Sequence, residues 1–137
     1  MNEGLNEKLN MLGALIQCNK KVYKVIYHLN KLMIIEGSDM DQIVIDNSKF
    51  QFITLDEKWL NLLGFKLGET IKHNSTMFDW KICKTDKNSI YLKEESKRSQ
   101  NLLVFTVCKF QSLVQSFTRK EISVNKSILE KGNLLLF

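Results

Sequence analysis

From Val22 to Leu29 the chain alternates, with Tyr23, Val25 and Tyr27 on one side and Lys24, Ile26 and His28 on the other, the period of two that a half-buried strand requires. Two short apolar runs follow, "KLMIIEG" and "DQIVIDN", separated by Gly37-Ser38-Asp39; this pattern predicts two strands joined by a turn. Beyond them, the segment from Gln42 to Leu55 reads either as one strand bent at Asn47-Ser48 or as two, the second over Lys49 to Leu55. Upstream, Leu5, Leu9, Leu12 and Ile16 recur at helical spacing and predict an N-terminal helix of about three turns ending near Asn19.

The second half has its own punctuation. "DEKWLNLLGF" predicts a helix with Asp56 as N-cap, Trp59, Leu62 and Leu63 on its inner face, and Gly64 or Gly68 ending it. In "TMFDWKICKTDKNSIYLKEES", Phe78, Trp80 and Ile82 alternate with Asp79, Lys81 and Cys83, and a turn at Asp86 to Ser89 leads into "SIYLKE"; this is a hairpin pattern. After the polar "EESKRSQN", the run "LLVFTVCKF" is apolar on both faces and predicts a central strand. Leu113, Val114 and Phe117 begin a closing helix, less periodic from Ile122 to Leu129. The connections are too short for parallel crossovers, so the class is α+β: a mostly antiparallel sheet with N-terminal and C-terminal helices. The length, 137 residues, suits one domain spanning residues 1–137.

Composition narrows the uses. Hydrophobic residues make up 44% and charged residues 26%, a globular balance far from that of disordered chains. A net charge of +5 permits polyanion binding and equally suits a soluble lysine-rich surface. Cys18, Cys83 and Cys108 are odd in number, widely spaced and form no CxxC pair, which fits a reducing intracellular compartment, with Cys108 read as a small core hydrophobe. The start lacks the basic and apolar regions of a secretory signal, and no apolar run approaches the roughly 20 residues that span a bilayer. We find no phosphate loop, nucleophile elbow, HExxH or metal-ligand spacing; Asp39 and Asp41 beside Glu36 lack the ligand series of a calcium loop. The expectation is a protein that is not an enzyme, without cofactor or metal, and not in a membrane.

Two features point toward partners. Aromatic rings beside cations favour sequence-tolerant binding of single-stranded nucleic acid; the candidates are Tyr23 with Lys20, Lys21 and Lys24, and Tyr91 with Lys81, Lys84, Lys87, Lys97 and Arg98. Tyr27 also lies in the first group, although the rim of the core is an equally good place for both of its tyrosines. The final "GNLLLF" is an apolar run, so Leu134, Leu135, Leu136 and Phe137 are expected either to add a strand to the sheet or to dock on another subunit.

The succession of "MLGALIQ", "VYKVIYHL", "KLMIIEGSDMDQIVI", a later hairpin and a helix after "LLVFTVCKF" resembles the OB-fold small subunits of replication protein A and of the telomeric CST complex. In layout the likeness covers most of the chain, and in sequence Met11 to Ile45. It implies an OB-like barrel and a nuclear role in replication or telomere maintenance. It also implies a larger OB-fold partner gripped by Leu113, Val114 and Phe117. The insert "DEKWLNLLGFKLG" and the apolar tail depart from that pattern. A second stretch, "FITLDEKWLNLLGFKLGETI", resembles the PAS fold and implies a sensor with a small-molecule pocket lined by Trp59, Phe65 and Trp80. A stand-alone nucleic-acid binder is the third reading.

Overall fold

A computed structural model describes residues 11–46, 48–74, 78–96 and 100–136. The chain divides into two compact units, one formed by Met1–Ile53 with Val124–Phe137 and the other by Thr54–Ser123.

The first unit contains β1 (Leu15–Cys18), β2 (Lys21–Leu29), β3 (Leu32–Glu36), β4 (Gln42–Asp46) and β5 (Gln51–Phe52), in the order β4-β3-β2-β1-β5. All four pairings are antiparallel. The sheet stays open, with β4 and β5 at its edges, so the barrel implied by the resemblance does not close among the described residues. Gln42 to Leu55 is not one bent strand either: β4 ends at Asp46, Gln51–Phe52 pairs with β1, and Thr54 forms an isolated bridge with Thr106.

Leu15–Cys18 is a strand, so the described part of the expected N-terminal helix is corrected; Leu5 and Leu9 lie outside the described residues. Asn19 and Lys20, with φ of 52° and 66°, make the two-residue turn into β2, the geometry that matches strand twist and that Asn accepts readily. Leu12 and Ile16 match helical spacing, but Leu12 is exposed while Leu15 and Ile16 are both fully buried, the signature of a covered strand. A spacing of four cannot by itself separate the two over so short a run.

The closing helix of this unit, here α3 (Lys126–Leu135), packs on β2. The terminal apolar run is therefore the end of a helix and adds no strand; Phe137 lies outside the described residues. Asn125 caps α3, its side chain accepting from the Ile128 N–H at 3.0 Å. Leu129 and Gly132 are the helix's buried positions. Between them and the tail, Asn133 Oδ1 accepts the Val22 N–H at 2.7 Å. The reason lies in the register: Lys24 is opposite Glu36, the last residue of β3, so no strand continues beside Val22 to receive its N–H. Replacing Asn133 by Leu, close in volume but unable to accept, is expected to lower stability by about 1–3 kcal/mol by leaving that donor unpaired. Urea unfolding measures it, and an unchanged midpoint would mean that water takes over the N–H.

The second unit pairs β6 (Thr70–Ile71), β7 (Trp80–Lys84), β8 (Ile90–Glu94) and β9 (Asn101–Leu103) in that order, all antiparallel. The expected hairpin is present as β7–β8, closed by the turn in which Thr85 N–H donates to the Ser89 carbonyl at 2.8 Å. Helix α1 (Glu57–Leu62) starts as the sequence predicts, with Asp56 Oδ1 accepting from the Trp59 N–H at 3.0 Å, and Gly64 follows it at φ +96°. Trp59, Leu60 and Leu63 are buried; Leu62 is only half-buried.

The run "LLVFTVCKF" is not a central strand. β9 lies at the sheet edge and stops at Leu103; Thr106 then caps α2 (Val107–Thr118), its Oγ1 accepting from the Lys109 N–H at 3.2 Å. Threonine at that position offers a hydroxyl to a free helix N–H, and the cap outweighs the strand preference of the flanking apolar residues. Cys108 sits half-buried on α2, where burial pushes its thiol above the usual value. No helix among the described residues is long and apolar enough to cross a membrane.

Candidate interaction face

On the outer surface of β2, β3 and β4, the part contributed by β2 owes its character to one extra residue. Val25 lies opposite Ile35, yet Tyr27 lies opposite Ile34, so Ile26 is an insertion and the strand carries a bulge there. Consecutive residues of β3 point to opposite faces, and the bulge therefore turns Tyr27 away from Val25. The expectation that Tyr23, Val25 and Tyr27 share one face fails at this point. Val25 and Ile35 are fully buried, and Tyr27 is 50% exposed.

Following the register across the sheet gives three rows on the outer face. Tyr27, Ile34 and Val44 form the middle row; Leu29, Leu32 and Asp46 form the next; Lys24, Glu36 and Gln42 close the other side. Leu29, Leu32 and Val44 are 56%, 55% and 64% exposed, and Ile34 is half-buried beneath its neighbours. The border is polar, with the Lys24 and Glu36 side chains opposite each other and Gln42 Nε2 donating to Glu36 Oε2 at 3.3 Å. At the far corner Asp46 Oδ1 accepts from the Ser48 N–H at 2.9 Å, a bond that holds its carboxyl below the usual range. Five contiguous apolar side chains with a polar margin have the anatomy of a protein contact surface.

The residues singled out in the sequence are placed differently. Lys20 and Lys21 are exposed and Lys24 is half-buried in the polar row, but Tyr23 is 3% exposed. Its ring packs where a Cβ on Gly37 would come within 3.1 Å of it, and burial, then the Asp41 carboxylate, raise its phenol above the usual value. A buried ring offers no face to a base. Lys81, Lys84, Lys87 and Tyr91 belong to the second unit, where Lys84 Nζ pairs with Glu57 Oε1 at 3.3 Å and Tyr91 is half-buried opposite Cys83. The two groups of cations thus belong to different units. Lys97 and Arg98 lie outside the described residues.

Of the expected partner-binding residues, Val114 is buried in its own unit, Leu113 is half-buried, and Phe117 stacks on Trp80 with centroids 5.3 Å apart and planes 5° apart. Leu134 is 75% exposed, while Leu135 and Leu136 are half-buried. An open cleft of ≈ 690 Å³ in the second unit is lined by Phe65, Ile71, His73, Val114, Thr118 and Ile122 among others; Phe65 belongs to it, but Trp59 and Trp80 do not. Among the described residues, no group of His, Cys, Asp and Glu side chains is placed to hold a metal ion.

Sequence reasoning passed over Leu29, Leu32, Ile34 and Val44 because each belongs to a run that reads as core strand. The available signal was the adjacent pair Val25-Ile26, two apolar residues that interrupt the alternation where the bulge lies. Comparison with protein-family models, with curated proteins and with solved structures gives no match.

Proposed function

We propose that this chain is a non-catalytic subunit that works through protein–protein contact, docking the outer face of β2, β3 and β4 against a larger protein. The row Tyr27–Ile34–Val44, flanked by Leu29 and Leu32, carries the reading. Covering apolar area of this kind is favourable by roughly 25 cal/mol per Å², and tyrosine at the centre of such a patch is a preferred anchor. Of the charged residues on the face, Lys24 and Glu36 are opposite each other, and Asp46, with Leu32 opposite it, already has the Lys31 and Lys49 cations acting on its carboxylate. The partner that fits is apolar at its centre and polar where it meets the Lys24–Glu36–Gln42 row, as the rim of a contact surface is.

The test is capture of a stoichiometric partner from source-cell extract, its reconstitution from purified components, and a comparison with the double variant Tyr27→Lys/Leu32→Lys. Both positions are half-exposed, so the variant is expected to fold. The expected result is a loss of affinity of about a hundredfold or more, as for two contact residues near the centre of an interface. A folded variant that binds the same protein equally well would overturn the proposal. So would a wild-type chain that retains only a small molecule or single-stranded nucleic acid, which would favour a sensor or a nucleic-acid binder.

A further inference from the structure

The edges of the two sheets are unequal. β5, β6 and β9 are edge strands of 2, 2 and 3 residues, whereas β4 is an edge of 5. Short edges are a common protection against strand pairing, as are lysine, proline and bulges. β4 reads Gln42-Ile43-Val44-Ile45-Asp46 and has neither lysine nor proline, and its register with β3 is unbroken from end to end. Its inward side chains, Ile43 and Ile45, are only half-buried, although Ile35 and Met33 opposite them on β3 are covered. Both faces of this edge therefore leave apolar surface in water.

The order of residues in β4 is self-complementary. We infer that a second copy of this chain pairs with β4, antiparallel and centred on Val44, joining the two sheets across a twofold axis. In that register Val44 meets its own copy, Ile43 meets Ile45, and the Gln42 amide meets the Asp46 carboxylate. Side chains directly opposite in an antiparallel pair share a face. The outer row then runs Tyr27–Ile34–Val44 and on through the same three residues in reverse, and the half-buried Ile43 and Ile45 become interior. Sliding by one residue sets outer-face positions against inner-face ones; sliding by two sets Gln42 or Asp46 against Val44. Only the register centred on Val44 matches apolar with apolar and amide with carboxylate. A twofold contact of this kind uses the same patch on both copies. The inference stands on the edge, so it survives or fails independently of the larger partner proposed for the face.

Two measurements on the full chain test it. By sedimentation or light scattering, wild type is expected to show twice the 16.0 kDa chain mass, and Val44→Lys, at a position 64% exposed, to remain folded and run as a monomer. For the register, Val44→Cys is expected to form a disulfide-linked dimer on mild oxidation, because opposite Cα atoms lie about 4.5–5.5 Å apart, within disulfide reach. Gln42→Cys is expected not to link to itself, since four residues of offset separate the two copies by roughly 13 Å, but to link to Asp46→Cys when the two variants are mixed. Wild type remaining a monomer across the micromolar to millimolar range, a dimer that persists in Val44→Lys, or Gln42→Cys linking to itself as fast as Val44→Cys would each overturn the inference.

Discussion

Phe110→Ala is expected to lower stability by about 3–5 kcal/mol, the range for emptying a buried aromatic site. Phe110 is fully buried on α2, and its ring meets Phe65 edge to face with centroids 5.1 Å apart. Such a pair contributes about 0.5–1.5 kcal/mol beyond the area it covers. The variant loses the transfer energy of the ring, that pairing, and the packing around the space left behind. Both tryptophans of the chain, Trp59 and Trp80, belong to the same unit, so their fluorescence follows its unfolding directly. A loss below about 1 kcal/mol would contradict the burial of Phe110, because surface substitutions rarely exceed roughly half that value.

Ile35→Ala should weaken the first unit by about 2–5 kcal/mol. Ile35 is fully buried on β3, with Val25 opposite it on β2 and Ile43 on β4, so it joins the bulged strand to the open edge. This unit lacks tryptophan, so its unfolding is read as the part of the far-UV circular dichroism transition that tryptophan fluorescence does not report. The contrast is with Ile34, the adjacent residue on the outer face. If Ile34→Ala proved as damaging as Ile35→Ala, β3 would bury the face assigned to docking, and the proposed interaction surface would fall with it. The two variants therefore test the geometry on which the proposed interaction surface depends.

The parts of this protein legible in its sequence are those governed by neighbours a few residues apart. Asp56 caps the helix that the sequence predicts it to cap, because its carboxylate needs only the Trp59 N–H three residues on. The β7–β8 hairpin follows from alternation on either side of a polar turn. Where two local patterns competed, sequence was a poor guide. Leu12 and Ile16 have helical spacing but flank and enter a strand, and "LLVFTVCKF" is divided by the Thr106 cap into a short edge strand and a helix.

The candidate site was hidden for a different reason. Leu29, Leu32, Ile34 and Val44 have the composition of core residues, and what makes them a surface is the face on which each strand presents them. One inserted residue, Ile26, reverses that face along the second half of β2. By itself the sequence determined an α+β chain built on antiparallel hairpins, because caps, turns and alternation are short-range properties. Only the tertiary structure decided that the sheets stay open, that Tyr23 is core while Tyr27 is surface, and that β4 is left as a long edge. Those outcomes depend on which strands become neighbours and in what register, and such pairings are set between residues far apart in the chain.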